Sequence, residues 1–115
     1  MNIRVVTDQI SLGELHELAQ ETFVSMIKGV VDIEKKTVAF GGQYHMDANM
    51  VLIQNGSEQN NVWGFNLQLE QPPSDWIEYV SLINIRPLAG NRSMKIRDSV
   101  LREKMKSIVD AKIKV

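Results

Sequence analysis

Trp63-Gly64-Phe65-Asn66-Leu67-Gln68-Leu69-Glu70 alternates large apolar residues with small or polar ones. A period of two puts Trp63, Phe65, Leu67 and Leu69 on one side of a β-strand and leaves the other side to glycine and polar groups, the signature of a strand with one face on a core. Gln71-Pro72-Pro73-Ser74-Asp75 follows. Two prolines cannot donate to a ladder, so the strand stops there. Trp76 to Arg86 then predicts a second strand, paired antiparallel with the first.

Upstream, Val30-Val31-Asp32-Ile33-Glu34 and Thr37-Val38-Ala39-Phe40 flank Lys35-Lys36, a spacing that predicts a tight hairpin. Gly41-Gly42 frees the backbone before Gln43-Tyr44-His45-Met46-Asp47. Met50-Val51-Leu52-Ile53-Gln54 predicts a buried strand closed by the Asn55-Gly56 turn signal, with a helical turn over 46–50 as the alternative. Near the start, Ile3, Val5 and Val6 predict a first strand. Ser11-Leu12-Gly13-Glu14 forms a capping box, with the Ser11 hydroxyl accepting from the backbone and Glu14 reaching back. Leu12, Leu15, Ala19, Phe23, Met26, Ile27 and Val30 recur at helical spacing and predict a helix from Leu12 to Gly29. His16 falls at the edge of that stripe. Asp98 or Ser99 opens a final helix whose stripe is Leu101, Met105, Ile108, Val109 and Ile113. This order of elements predicts an α+β fold: a two-layer sandwich of one mainly antiparallel sheet of about five strands, with an N-terminal and a C-terminal amphipathic helix on one sheet face. Trp63 and Trp76 are expected in the core between strands.

With 115 residues the chain fits a single domain, and a core of that size needs no disulfide or metal staple. It contains no cysteine, which removes thiolate chemistry and agrees with a reducing compartment. Met1 to Asp8 runs straight into a folded pattern without a signal-peptide core, and no apolar run approaches the roughly 20 residues of a membrane helix, so a cytoplasmic location away from membranes is expected. Charge is unevenly spread. Residues 1–91 carry 5 basic and 11 acidic side chains, and residues 92–115 carry 8 basic and 3 acidic, giving −6 and +5. A basic final helix can lie against an acidic body, or offer a surface to nucleic acid or an acidic protein. The acidic remainder disfavours nucleic acid.

The strongest concentration of binding groups follows the second strand: Asn84-Ile85-Arg86-Pro87, then Gly90-Asn91-Arg92-Ser93. Guanidinium forks match phosphate and carboxylate geometry, and an alternating strand would put Asn84 and Arg86 on one face. Gly90 permits the left-handed backbone of an anion nest. Asn84, Arg86, Asn91, Arg92 and Ser93 are therefore the candidate ligand-binding residues, for a small anionic ligand or partner. Pairing of Arg86 with Glu78 or Glu70 is the structural alternative. His45 and Asp47 are the candidate catalytic pair, since alternate residues of an extended segment share a face and a carboxylate can orient an imidazole. Such a role suits a small hydrolase or transferase if His45 and Arg86 converge in one cleft. Two histidines without cysteine furnish no metal set, and no phosphate loop, dinucleotide fingerprint or serine elbow occurs, so neither metal nor cofactor is expected. A homodimer through a sheet edge or the first helix is the remaining interaction reading.

Val31-Asp32-Ile33-Glu34, Gly41-Gly42 followed by His45 and Asp47, Asn55-Gly56-Ser57 followed by Trp63-Gly64, Trp76-Ile77-Glu78, and Asn84-Ile85-Arg86-Pro87 with Gly90-Asn91-Arg92-Ser93 together resemble a family of short bacterial and archaeal proteins of unknown function. The likeness runs nearly end to end, and its last piece is the most specific. It implies that the Asn84 to Ser93 segment is the family's signature, and it brings no activity with it. Where that family has acidic residues after His-x-Asp, this chain has Ala48-Asn49, which takes weight from a metal or acid–base role at His45.

Overall fold

The computed structural model describes residues 2–115. The 63–70 run forms the strand β5 (Val62–Gln68), which lies between β3 (Met26–Asp32) and the short β6 (Ile77–Glu78). With β1 (Ile3–Val6) and β4 (Thr37–Gly41) they make an antiparallel sheet of order β1-β4-β3-β5-β6. Alternation sorts the side chains onto two faces as the sequence predicts, but the face expected to be open is buried too, with Val62, Gly64 and Asn66 all covered. Trp63, Phe65 and Leu67 join Ile27, Val31, Val38 and Phe40 in the main core, into which Trp76 also packs. Onto that core pack α1 (Leu12–Gln20) through Leu15 and Ala19, and α3 (Ser99–Lys112) through Met105, Ile108 and Val109. Ser11 accepts from the Glu14 N–H at 3.1 Å and Asp98 from the Val100 N–H at 2.9 Å, so both helices start on side-chain caps. The radius of gyration is 12.8 Å, near the roughly 13 Å of one compact domain of this length.

The fold departs from the sequence reading in four places. The first helix ends at Gln20 rather than Gly29, and Met26 to Asp32 is a strand. Val24 takes a left-handed φ of 68° at the change of direction. Gly29 lies mid-strand, where a Cβ would stand 2.4 Å from the Phe65 ring, so the aromatic ring packs directly on the glycine backbone. The hairpin turns over Ile33–Lys36 rather than Lys35-Lys36: Asp32 faces Thr37 across the ladder, and its Oδ1 accepts from the Glu34 and Lys35 N–H groups, both at 2.9 Å. The run 50–54 is not a strand but the second half of α2 (His45–Gln54). Finally, Trp76 to Arg86 contributes only two strand residues before the chain passes through 3₁₀ turns at Leu82–Asn84 and Pro87–Ala89.

The second of these helices changes the architecture. Ala48 and Leu52 of α2 pack with Val30, Ala39 and Val62, residues of the sheet face opposite to α1 and α3. The sheet is thus covered on both faces and is not one half of a two-layer sandwich. A parallel pair, β2 (Ile10–Ser11) with β7 (Ile113–Lys114), closes the chain beside the main sheet.

Candidate functional site

On the α2 side of the sheet, Lys28 of β3, Asn66 of β5 and Glu78 of β6 are direct cross-strand neighbours. Residues directly opposite in antiparallel strands share a face, so the three form a row running from cation through amide to carboxylate. The helix α2 covers Val30, Ala39 and Val62 but not this row. What stands over it instead is the start of α2 on one side and the arm 80–83 with Met94 on the other. The space between is a cleft of about 410 Å³ lined by Lys28, Tyr44, His45, Met46, Asn66, Val80, Ser81, Leu82, Ile83 and Met94. Tyr44, Met46, Leu82 and Met94 are exposed at its rim, whereas His45 and Asn66 are each only 8% exposed.

The buried polar groups have defined roles. His45 Nε2 lies 2.8 Å from the Phe65 carbonyl oxygen. A carbonyl only accepts, so Nε2 carries the proton and Nδ1 holds a lone pair in the neutral ring. Burial pushes the His45 pKa below the ordinary 6.5, with the Lys28 charge acting in the same direction against the Phe65 carbonyl and Asn66. Asn66 Nδ2 donates to Glu78 Oε1 at 2.9 Å and lies 3.4 Å from the Val80 carbonyl. Those two acceptors fix the amide orientation, and the Asn66 Oδ1 atom is left buried with no partner among the described residues. Trp63 Nε1 is in the same condition on the other face of β5.

The residues singled out in the sequence fall into two groups. Asn84, Arg86 and Asn91 come together, but as a brace beneath the arm. Asn84 is fully buried, its Oδ1 accepting from the Gly64 N–H at 2.8 Å and its Nδ2 donating to the Gly64 carbonyl at 3.0 Å and the Met94 carbonyl at 3.2 Å. The amide takes both backbone groups of Gly64 as a neighbouring peptide would, beyond the point where β6 stops pairing. Gly64 is required here, since a Cβ would meet Ser81 Cβ at 2.6 Å. Arg86 donates through Nε to the Ile83 carbonyl at 3.1 Å and through Nη2 to the Val62 carbonyl, and its guanidinium stacks 4.2 Å from the Trp63 ring. Burial lowers its pKa. Asn91 donates to the Asn84 and Ser93 carbonyls and accepts from the Arg97 N–H. The expectation that Asn84 and Arg86 project from one strand face gives way to this arrangement, because the segment is a 3₁₀ turn and not a strand. Arg86 is bonded to carbonyls, not to Glu78 or Glu70. Gly90 does take the left-handed conformation, φ 81°, and Arg92 is exposed beside it, while the Ser93 hydroxyl donates to the Lys95 carbonyl at 2.9 Å.

His45 and Asp47 do not share a face, since they sit two apart in a helix. Asp47 Oδ2 accepts from the Gln43 and Tyr44 N–H groups at 3.1 and 2.9 Å, so this carboxylate caps α2. His45 and Arg86 line different clefts; Arg86 borders one formed with Asn60, Pro87, Leu88 and Ala89. His16 is exposed on α1. Sequence reasoning missed Asn66, which looked like an ordinary outward residue of the alternating strand. A signal was present in the cross-strand row, but only the register of three strands reveals it. No group of three or more His, Asp or Glu side chains with metal-site geometry occurs among the described residues, and no described helix is long and apolar enough to cross a membrane.

A family described as "Protein of unknown function (DUF5674)" matches residues 4–112, and the chain belongs to it. No curated protein and no solved structure matches the chain.

Proposed function

We propose that this member of an uncharacterised family is a small binding domain whose ligand occupies the cleft between the start of α2 and the 80–83 arm. The observation that carries the reading is the unpaired Asn66 Oδ1 beside His45, under an apolar rim. Buried polar atoms are rarely left without a partner, and an orphan that borders a cleft, as Asn66 Oδ1 does and the core-facing Trp63 Nε1 does not, is accounted for by a group entering from that cleft. A few buried polar groups under apolar walls is the usual make-up of a small-molecule site. In this reading Asn84, Arg86 and Asn91 hold the arm against β5, and an anion-binding role falls chiefly to the exposed Arg92.

The test is a thermal-melt screen against nucleotides, phosphorylated metabolites, carboxylates and neutral aromatic compounds, repeated with Leu82→Asp and Arg92→Ala. Ligand at 100 times its Kd adds about 2.7 kcal/mol, several degrees in a domain of this size. Stabilisation lost in Leu82→Asp and kept in Arg92→Ala supports the cleft. The reverse pattern moves the ligand to the Gly90–Ser93 corner.

The neutral imidazole favours a second reading, in which His45 acts as a general base through Nδ1 on a cleft-bound substrate. Turnover of activated esters that disappears in His45→Gln, with the fold intact, is the observation it requires.

A further inference from the structure

We infer that the ligand of this cleft carries a neutral hydrogen-bond donor, an N–H or O–H group, on an apolar body. The inference rests on the cleft reading and adds the chemistry of the ligand's head. The Asn66 amide cannot flip to present its NH₂ group, because Oδ1 would then face Glu78 Oε1 and the Val80 carbonyl, which now receive its protons. The unmet group at the floor is therefore an acceptor. Neutral His45 adds no donor to it: its Nε2 proton is held by the Phe65 carbonyl and Nδ1 carries a lone pair, and only the imidazolium, which burial disfavours, would turn an N–H toward Asn66. A floor of acceptors calls for a ligand that donates.

A charged head is disfavoured on two grounds: Lys28, which lines the cleft one strand away from Asn66, opposes a cation, and an anion such as a carboxylate brings only acceptors to a floor that needs a donor. The walls, Met46, Val80, Leu82, Ile83 and Met94, supply no charge, and two of them are methionines, whose unbranched side chains adapt to irregular partners. Oδ1 itself is closed to solvent, so a head that reaches it must open the cleft floor. The volume, about 410 Å³, lies in the ordinary range of small-molecule sites.

The experiment is a methyl NMR titration of protein labelled at the methionine methyls. Met46 and Met94 report on the cleft, and the fully buried Met105 on the core far from it reports on the fold. Probes come in matched pairs: indole with N-methylindole and benzamide with N,N-dimethylbenzamide, plus benzoate and benzylamine as charged bodies of similar size. Indole and benzamide are expected to shift Met46 and Met94 but not Met105, with the methylated partners roughly tenfold weaker, the scale of one hydrogen bond to a buried acceptor. In Asn66→Leu that tenfold difference should vanish while the apolar body still binds. Equal or tighter binding of the methylated partners, or of benzoate or benzylamine, at the same methyls overturns the donor-head inference and leaves the cleft as a binding site. Failure of every probe to move Met46 and Met94 at millimolar concentration overturns both. If Asn66→Leu does not fold, the matched pairs on the parent protein decide the matter alone.

Discussion

Asn84 and His45 are both buried polar residues, and they respond to change in opposite ways. The Asn84 amide makes three hydrogen bonds to backbone groups of Gly64 and Met94. Asn84→Asp keeps the shape and the acceptor but removes both donors and places a carboxylate against two carbonyl oxygens. The expected loss is about 2–4 kcal/mol, more than for a lone hydrogen bond, because buried acceptors go unmet and a buried charge has no partner. Urea denaturation of the two proteins measures it, and a loss under 1 kcal/mol would show the brace to be dispensable. His45 is expected to act through pH. Its folded pKa lies below the 6.5 of an unperturbed imidazole, so between those values the unfolded chain binds the extra proton. Its contribution is whole above 6.5, falls as pH drops toward the folded value, and changes no further beneath it. His45→Gln can still donate to the Phe65 carbonyl but does not titrate. Melts from pH 7.5 to 5 should show the parent losing more than this variant; parallel curves would mean the ring is not the acid-sensitive group. The gathering of Asn84, Arg86 and Asn91 was legible in the sequence, but their direction was not. Alternation through Ser81 to Arg86 imitates a strand, while Asn84 spends its amide on the adjoining strand's backbone, a tertiary contact that no local pattern carries.

Elements were legible where one periodicity dominated and illegible where two were satisfied together. The period of two in β5 and the N-terminal caps at Ser11 and Asp98 emerged as predicted, whereas α1 stops at Gln20 and Glu14 pairs with Arg4 instead of reaching back to complete the capping box. Phe23, Met26, Ile27 and Val30 fit a helical stripe, yet Ile27 and Val31, with Gly29 between them, also fit one face of a strand, and the β-branched pair Val30-Val31 favours the strand. The apolar run 50–53 has no period at all, so its neighbours decide: Asp47 caps a helix start, and the α2 face of the sheet needs covering. Gly29, which the helical spacing marks as a helix stop, serves instead as the seat of the Phe65 ring, which meets Phe40 edge-on at 5.9 Å and 86°. Gly29→Ala is accordingly expected to cost about 1–3 kcal/mol by overpacking, since the new Cβ and the ring cannot both stay. Trimming the ring in Phe65→Leu should relieve part of that cost. A double-mutant cycle in urea therefore shows a favourable coupling between the two changes; strict additivity would mean that the ring and the glycine are not in contact.

At the scale of the whole molecule, the main core is shared by the sheet, α1, α3 and the β2–β7 pair, which ties the chain's two ends together. Ile10 and Ile113 face each other in parallel register and are both buried in that core. Lys112 Nζ donates to the Thr7 carbonyl at 2.7 Å, and Gln9 Nε2 lies 3.3 Å from the Ala111 carbonyl. The basic character of the last segment is therefore partly local in purpose: Lys106 pairs with Asp110 on the same helix, and Arg102 lies over the Tyr79 ring. Those exposed contacts are each worth well under 1 kcal/mol, so the clasp stands on the isoleucines rather than on the charges. Ile113→Ala should cost about 2–4 kcal/mol, the range for an aliphatic side chain cut back in a core, and lower Tm by several degrees for each kcal/mol. Lys112→Met, which keeps the aliphatic stem, should change stability by less than about 0.5 kcal/mol. Because Trp63 and Trp76 sit in the same cluster as Ile113, tryptophan fluorescence and far-ultraviolet circular dichroism should move together to the same lower midpoint in Ile113→Ala. A split, with helix signal lost before the tryptophans respond, would show that α3 and the clasp unfold as a unit of their own. The core would then have to be regarded as two, one beneath α1 and one beneath α3.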